Sequence, residues 1–195
     1  MLSSDERDWL IALDAVKGVG WRTMQRLVEA CDSLKELADW SQERFLTLGI
    51  RGDIAANIRE NMRQENVEAW RKQREEWPYF VLTALDSDYP RQLREIHQPP
   101  WVIYGLGNIQ LLNSPSIGMV GTRNPTSYGR MVAFKLAREL SEHGFTVVSG
   151  MARGIDTEAH KGALQGAGGT IAVLGCGIDI VYPPENKTLY WTIAE

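Results

Sequence analysis

The sequence has little cysteine and no long apolar run. Cys31 and Cys176 are the two cysteines in 195 residues. They lie far apart and form no CxxC pair, which excludes a disulfide framework and gives no sign of a zinc site. No apolar stretch reaches the roughly 18 residues that a membrane span needs. The first residues, MLSSDERDWL, carry acids where a secretory signal carries bases. We therefore expect a cytoplasmic protein without a membrane-spanning segment.

The sequence also lacks an excess of positive charge. It has 21 basic and 25 acidic residues, for a formal net charge of −4. This balance does not exclude a nucleic-acid partner, because phosphates are bound by local clusters of charge. With 44% hydrophobic and 24% charged residues, the composition is that of a globular protein and excludes collagen-like and disordered chains. An anion site would therefore depend on a few placed side chains and backbone amides.

The first part of the chain, residues 1–76, reads as a small all-helical domain. Apolar residues recur at helical spacing, and glycine-containing breaks at 18–20 and 49–52 separate the helices. The last predicted helix, Asp53–Glu76, ends before Pro78. Residues 77–115 then form a predicted connector with edge strands at Tyr79–Leu82 and Trp101–Tyr104.

Residues 116–195 alternate between short apolar strands and amphipathic helices. This alternation predicts a Rossmann-like α/β domain with a parallel sheet, incomplete at its C-terminal end. Right-handed connections bring the strand-to-helix loops to one edge of that sheet. The predicted strands are Ile117–Val120, Phe145–Ser149 and Thr170–Leu174, and the predicted helices run from Ser127 to His143 and from Ile155 to Gln165.

Each predicted strand is followed by glycine, and arginines follow the first two. Glycine lets backbone approach a ligand closely, and backbone amides at helix N-termini attract anions. Hydroxyl groups of Thr122, Thr126 and Ser149 add donors. The pattern predicts a phosphate-binding pocket, although glycines that serve tight turns alone are the competing interpretation. The candidate binding residues are Gly121, Thr122, Arg123, Ser149, Gly150, Arg153 and Gly154.

The pocket does not match the common nucleotide motifs. The first loop, Gly121-Thr122-Arg123-Asn124-Pro125, is not GxGxxG, and the second strand ends in Ser149-Gly150 where an NAD site has an acid. The sequence also has no GxxxxGK[ST] motif. We therefore predict no cofactor, no metal and no catalytic residue.

The helical domain contains a second candidate contact. Residues 16–24, VKGVGWRTM, fit the hairpin of a helix-hairpin-helix, which offers backbone amides to DNA phosphates without reading bases. Lys17, Gly18, Gly20 and Arg22 are its candidate contact residues, and a weaker copy lies at 48–52. An interhelix turn kept for packing explains the pattern equally well.

Other residues favour structural roles. Asp156 and His160 lie four apart on a predicted helix and could pair. Without a nucleophile or a third ligand, an Asp156 that caps the start of the helix and a partly buried, hydrogen-bonded His160 are the favoured interpretation. Cys176, between two glycines, is interpreted as a small filler. Asp179, Tyr182 and Asn186 either line the pocket or shape the following loop.

Taken together, the loops resemble the DNA-processing protein A family (DprA, or Smf). The resemblance covers about residues 89–189 and is carried by an ordered series of motifs. These are Gly121-Thr122-Arg123 with Tyr128-Gly129, residues 148–156 (VSGMARGID) with Ala159-His160, residues 162–164 (GAL), residues 170–175 (TIAVLG) and residues 182–186 (YPPEN). A helical N-terminal domain of the helix-hairpin-helix or SAM-like kind also agrees with this family.

The resemblance implies a non-enzymatic protein that binds single-stranded DNA. In this family such proteins protect incoming strands during natural transformation and load the RecA recombinase. The implied partners are single-stranded DNA, RecA and, in an intact protein, a second copy of the chain. Family members continue beyond the position of Glu195, so we expect a C-terminally truncated chain. The alternative is a nucleotide-binding enzyme or sensor of the lysine-decarboxylase-like phosphoribohydrolase type.

Overall fold

The computed structural model describes residues 6–195. By contacts the chain forms two compact units, Met1–Tyr104 and Gly105–Glu195. The predicted connector is thus divided, with both of its predicted strands in the first unit. The division into segments 1–76, 77–115 and 116–195 stays a prediction.

The first unit consists of short helices packed around one apolar core. Leu10, Leu27, Phe45 and Ile58 are completely buried in it, and burial of each such side chain stabilises the fold by roughly 1.5–3 kcal/mol. The helices are α1 (Arg7–Asp14), α2 (Trp21–Ala30), α3 (Gln42–Thr47), α4 (Gly52–Asn61), α5 (Gln64–Glu75) and α6 (Arg91–Arg94), with a 3-10 turn at Leu34–Ala38 and a two-stranded sheet of β1 (Phe80–Thr83) and β2 (Val102–Gly105).

The single helix predicted over Asp53–Glu76 is wrong, because the chain breaks into α4 and α5. Ile58 and Val67 are nine residues apart, which in one continuous helix places them on opposite faces. Both are buried in the same core. An extended residue at Arg63 (φ −68°, ψ 141°) resets the helical phase so that both side chains pack inward. The Asn66 side-chain amide donates to the Glu60 carbonyl at 2.7 Å and stabilises the turn between the two helices.

The second unit confirms the predicted α/β fold. Its sheet has the strand order β3 (Ser116–Gly118), β4 (Thr146–Ser149), β5 (Thr170–Ala172). Both pairings are parallel, with Ile117 opposite Val147 and Val147 opposite Thr170. β4 ends at Ser149 as predicted, but β3 and β5 each end two residues earlier than predicted, so Met119, Val120, Val173 and Leu174 belong to the loops at the carboxyl edge. The elements are β3 (Ser116–Gly118), α7 (Ser127–Glu142), β4 (Thr146–Ser149), α8 (Ile155–Ala163), β5 (Thr170–Ala172) and α9 (Lys187–Ala194), with 3-10 turns at Ile109–Asn113 and Pro184–Asn186.

Small residues allow α7 and α8 to pack closely. Ala137 on α7 and Ala159 and Ala163 on α8 are fully buried beside Val147 of β4. At Gly162 a Cβ atom would lie 2.2 Å from the Phe134 carbonyl oxygen. The two helix backbones therefore touch at a point where only glycine fits, and this contact sets the position of α8 over the sheet.

We expect Gly162→Ala to lower the free energy of unfolding by about 1–3 kcal/mol, because the new methyl group meets backbone that cannot rotate away. Urea denaturation followed by circular dichroism measures the change. Gly118→Ala is the matched control, since a Cβ atom there meets nothing within 4 Å. Equal midpoints for the two variants would contradict the close packing.

Candidate nucleic-acid interface

Two loops meet at the carboxyl edge of the parallel sheet. The first loop (residues 121–124) follows β3, and the second loop (residues 150–154) follows β4. The Ile155 amide donates to the Thr122 carbonyl at 3.2 Å. A Cβ atom on Gly154 would lie 2.4 Å from that same oxygen, and Gly154 has a φ of +82°. Glycine at position 154 is therefore required both by its conformation and by the contact between the loops.

The first loop presents its polar groups to solvent. Gly121, Thr122 and Arg123 are all exposed. Within residues 6–195, the backbone amides of these three residues have no acceptor and the Arg123 guanidinium has no acidic partner. The Thr122 hydroxyl oxygen accepts from the Asn124 amide at 3.2 Å, which leaves its proton available. This loop keeps the donors that the sequence predicts for an anion.

The amides of the second loop are mostly occupied by the protein itself. Asp156 Oδ2 accepts from the amides of Gly150 (3.2 Å) and Ala152 (3.3 Å), and His160 Nε2 accepts from the amide of Met151 (3.3 Å). The sequence analysis predicted that the backbone amides of this loop face a ligand. This prediction is wrong for residues 150–152, whose amides donate within the protein. In the part of the chain that the structure describes, only Arg153 and Gly154 of this loop keep amides without an acceptor.

The other two predicted hydroxyl donors differ, because Ser149 uses its proton within the protein whereas Thr126 accepts a hydrogen bond and keeps its proton. The Ser149 side chain is 3% exposed, and its hydroxyl donates to the Met119 carbonyl at 2.7 Å across the sheet. Thr126 precedes α7 as its N-cap, and its hydroxyl oxygen accepts from the Gly129 amide at 3.1 Å. Ser149 therefore joins the ends of β3 and β4 and offers no proton to a ligand at the loop surface.

His160 is completely buried, and both of its ring nitrogens are engaged. The Thr170 hydroxyl donates to the Val147 carbonyl at 2.7 Å, so at its 2.7 Å contact with His160 Nδ1 it must accept. Nε2 accepts from the Met151 amide, so the ring is neutral with its proton on Nδ1. Burial lowers the pKa of His160 to about 4, against an opposing effect of Asp156. The structural role predicted for His160 thus holds, with the ring fully rather than partly buried, whereas the predicted helix cap at Asp156 is wrong, because α8 has no side-chain cap and Asp156 accepts from the Gly150 and Ala152 amides of the loop instead.

Asn186 closes the second loop from the far side. It is buried, and its side-chain amide donates to the Met151 carbonyl and to the Thr157 hydroxyl oxygen, both at 2.9 Å. Met151 itself has a φ of +60°, an unusual conformation that these hydrogen bonds hold in place. Sequence reasoning left Asn186 undecided between lining the pocket and shaping a loop. The structure assigns it to shaping the loop.

The two guanidinium groups of the loops differ in their partners. Arg153 forms a two-point ion pair with Glu185, in which Nε bonds to Oε1 and Nη2 lies 3.1 Å from Oε2. Both side chains are about half exposed. The hydrogen bond from Arg153 holds the pKa of Glu185 below its ordinary value. Arg153 is thus neutralised within the protein, whereas Arg123 is not.

The candidate hairpin of the first unit joins α1 to α2. Lys17, Gly18, Gly20 and Arg22 are all exposed, and among the described residues neither Lys17 nor Arg22 has an acidic partner. Gly18 has a φ of +90°, and a Cβ atom added at this position would lie 3.1 Å from the side chain of Ile54. Gly20 precedes α2 in extended conformation, and its carbonyl accepts from the Met24 amide at 3.0 Å. The weaker copy differs, because Arg51 pairs with Asp53 at 2.7 Å.

Residues 6–195 hold no group of three His, Cys, Asp or Glu side chains placed to bind a metal ion. In the same residues, every helix is too short or too polar to pass through a lipid bilayer. Cys176 is exposed, and its thiol donates to the Ile180 carbonyl at 3.4 Å.

The fold and the site define a Rossmann-like α/β domain whose sheet edge carries an exposed loop of glycine, threonine and arginine. The model of the family described as DNA recombination-mediator protein A matches residues 80–195. The chain belongs to this family.

Curated relatives agree with that assignment. Protein Smf of Synechocystis sp. is 39% identical over 203 residues, which cover 100% of this chain and 50% of that protein. DNA processing protein DprA of Streptococcus pneumoniae is 42% identical over 118 residues, which cover 60% of this chain and 41% of that protein. The chain therefore spans half or less of the length of these relatives.

Two solved structures share the fold. DprA from Streptococcus pneumoniae superposes with a TM-score of 0.62 at 30% identity, covering 90% of this chain and 65% of that chain. DprA from Helicobacter pylori, whose structure is described as showing a single-stranded DNA binding mode, superposes with a TM-score of 0.53 at 32% identity. That match covers 62% of this chain and 53% of the Helicobacter chain.

We expect the His160 ring to stay neutral, in the Nδ1–H form, down to about pH 4. The unfolded chain, with a histidine pKa of 6.5, binds a proton earlier. As the pH falls from 6.5 to 4 the unfolded state therefore binds more protons, and the free energy of unfolding of this unit drops by roughly 3 kcal/mol.

An NMR titration of the imidazole measures this directly, with His160→Gln used to assign the resonance. Urea unfolding is less direct, because burial raises the pKa of Asp14 to about 6. The folded protein then keeps that proton longer, which stabilises the fold as the pH falls from 6 towards 3.8 and opposes the effect of His160. A midpoint at or above pH 6.5 for His160 would contradict the assigned hydrogen bonds.

Proposed function

We propose that the chain binds the sugar–phosphate backbone of single-stranded DNA at the carboxyl edge of its parallel sheet, as part of a DNA-processing role in recombination. The first loop carries this proposal. Among residues 6–195, its three exposed amides have no acceptor and the Arg123 guanidinium has no acidic partner, so that one loop offers both neutral and charged donors. Donors in this arrangement suit a phosphate group.

The rigidity of the site supports the same proposal. Gly154 packs against the backbone of Thr122, so the first loop is held in position before a ligand arrives. Preorganised donors bind with less loss of conformational entropy. Contacts to phosphates do not depend on base identity, so binding of this kind accepts any sequence and weakens with salt.

Similar proteins support DNA as the ligand. The family description refers to recombination, and the Helicobacter pylori relative is described by its single-stranded DNA binding mode. Protection of the strand, delivery of RecA, a homodimer and a cytoplasmic location complete the proposed role. The first three of these elements are supported by the family resemblance alone.

We infer binding rather than catalysis at this edge. Asp156 and His160 are the side chains at this edge that could serve as a general acid and base. Both already accept hydrogen bonds from amides of the second loop. The buried, neutral His160 has no path to a ligand at the surface.

The hairpin between α1 and α2 is the second proposed contact. It supports DNA binding by its exposed Lys17 and Arg22 and by the N-terminus of the ten-residue helix α2 that follows Gly20. The Trp21 indole is not available for stacking, because it donates to the Pro99 carbonyl at 2.7 Å and packs beside Trp101. This surface offers phosphate contacts only.

We expect Arg123→Gln to weaken binding of single-stranded oligonucleotides several-fold, to the same extent for sequences of different base composition. The loss of one phosphate contact should also reduce the slope of log affinity against log salt by about 0.7. Fluorescence anisotropy across a salt series measures both quantities.

Lys135→Gln is the matched control, because it removes one positive charge from an exposed position of α7. It should leave the salt slope near that of the parent. The double variant Lys17→Gln/Arg22→Gln reports on the hairpin in the same assay. If Arg123→Gln binds like Lys135→Gln at every salt concentration, the proposed site is wrong.

A further inference from the structure

The ion pair between Arg153 and Glu185 joins two parts of the site that are far apart in sequence. Arg153 belongs to the second loop, and Glu185 lies in the 3-10 turn Pro184–Asn186 that leads into α9. The next residue, Asn186, is buried and its side chain donates two hydrogen bonds of 2.9 Å, one to the Met151 carbonyl of the second loop and one to the Thr157 hydroxyl of α8. This anchor holds the Glu185 backbone close to Arg153.

The geometry of the pair is that of guanidinium bound to an oxyanion. Two nitrogens of Arg153 face two oxygens of Glu185, the same fork that arginine presents to a phosphate. A bound phosphate and the Glu185 carboxylate therefore cannot occupy this face of Arg153 together. Among the described residues Arg123 has no such acid, so the two arginines of the site are not equivalent.

We infer that Glu185 acts as a built-in competitor for the DNA phosphate, so that Arg153 contributes to binding only when the strand displaces this carboxylate. The inference rests on the proposed function. Because both side chains are about half exposed, the pair is exchanged easily. Glu185 lowers the affinity contributed by Arg153 without closing the site.

Removal of the carboxylate tests this role. Glu185→Gln should raise the affinity for an oligothymidine strand about two- to fivefold at low salt, which is the range expected for an exposed ion pair. The slope of log affinity against log salt should become steeper by up to about 0.7. The Arg153 guanidinium can then pair with a phosphate without first losing its ion pair with a carboxylate of the protein. Unchanged urea midpoints confirm that the variant is folded.

Glu139→Gln is the control for overall charge. Glu139 is also paired, with Lys135 at 3.8 Å, and its side chain is 47% exposed, close to the 51% of Glu185. Binding by Glu185→Gln equal to that of Glu139→Gln would overturn the inference. Weaker binding by Glu185→Gln would also overturn it, since Glu185 would then hold Arg153 ready for the phosphate.

The two proposals fail in different ways. If Arg123→Gln leaves DNA binding unchanged, the proposed function itself fails. If Arg123→Gln weakens binding while Glu185→Gln and Glu139→Gln bind alike, only the role of Glu185 fails.

Discussion

The contact of Gly154 with the backbone of Thr122 fixes how the two loops meet at the sheet edge. A side chain at position 154 would fall 2.4 Å from a carbonyl oxygen, so the approach exists only because the residue is glycine. Through this contact the first loop is supported by the second, and the second is in turn supported by α8. The close packing of α8 on α7 at Gly162 extends the same constraint into the core.

The two loops have different roles in this arrangement. The second loop directs its amides inward to Asp156 and His160, which makes it a rigid support. The first loop leaves the amides of Gly121, Thr122 and Arg123 without acceptors within residues 6–195 and exposes the Arg123 side chain. Two loops that each begin with glycine and contain arginine thus differ in their backbone donors, which in one are mostly bonded within the protein and in the other are mostly exposed.

The sequence was sufficient for the architecture because strand length, apolar runs and glycine positions are local signals. The parallel sheet, α7 and α8 follow from them. The break between α4 and α5 could not be predicted, since it depends on Ile58 and Val67 sharing a core that exists only after folding. The direction of the amides at Gly150 and Ala152 was missed for a similar reason. The Asp156 carboxylate was predicted to cap α8, but it accepts from those two loop amides instead, because the tertiary turn at Met151 brings them to it.

Contacts between residues that are distant in the sequence could not be predicted either. Arg153 and Glu185 are 32 residues apart, and no periodicity connects them. The residues 182–186 stood out as a motif, yet the pattern alone did not separate the anchor, Asn186, from the competing acid beside it. The motifs therefore predicted where a site lies but could not say which of its charges are already neutralised.

The central claim is that the amides of the first loop, and not those at the start of the second, receive the phosphate. Amide resonances followed by NMR during titration with oligothymidine test this claim most directly. We expect the resonances of Gly121, Thr122 and Arg123 to shift, while those of Gly150 and Ala152 stay in place and remain slow to exchange with solvent. Shifts at Gly150 and Ala152 without shifts at residues 121–123 would contradict the account.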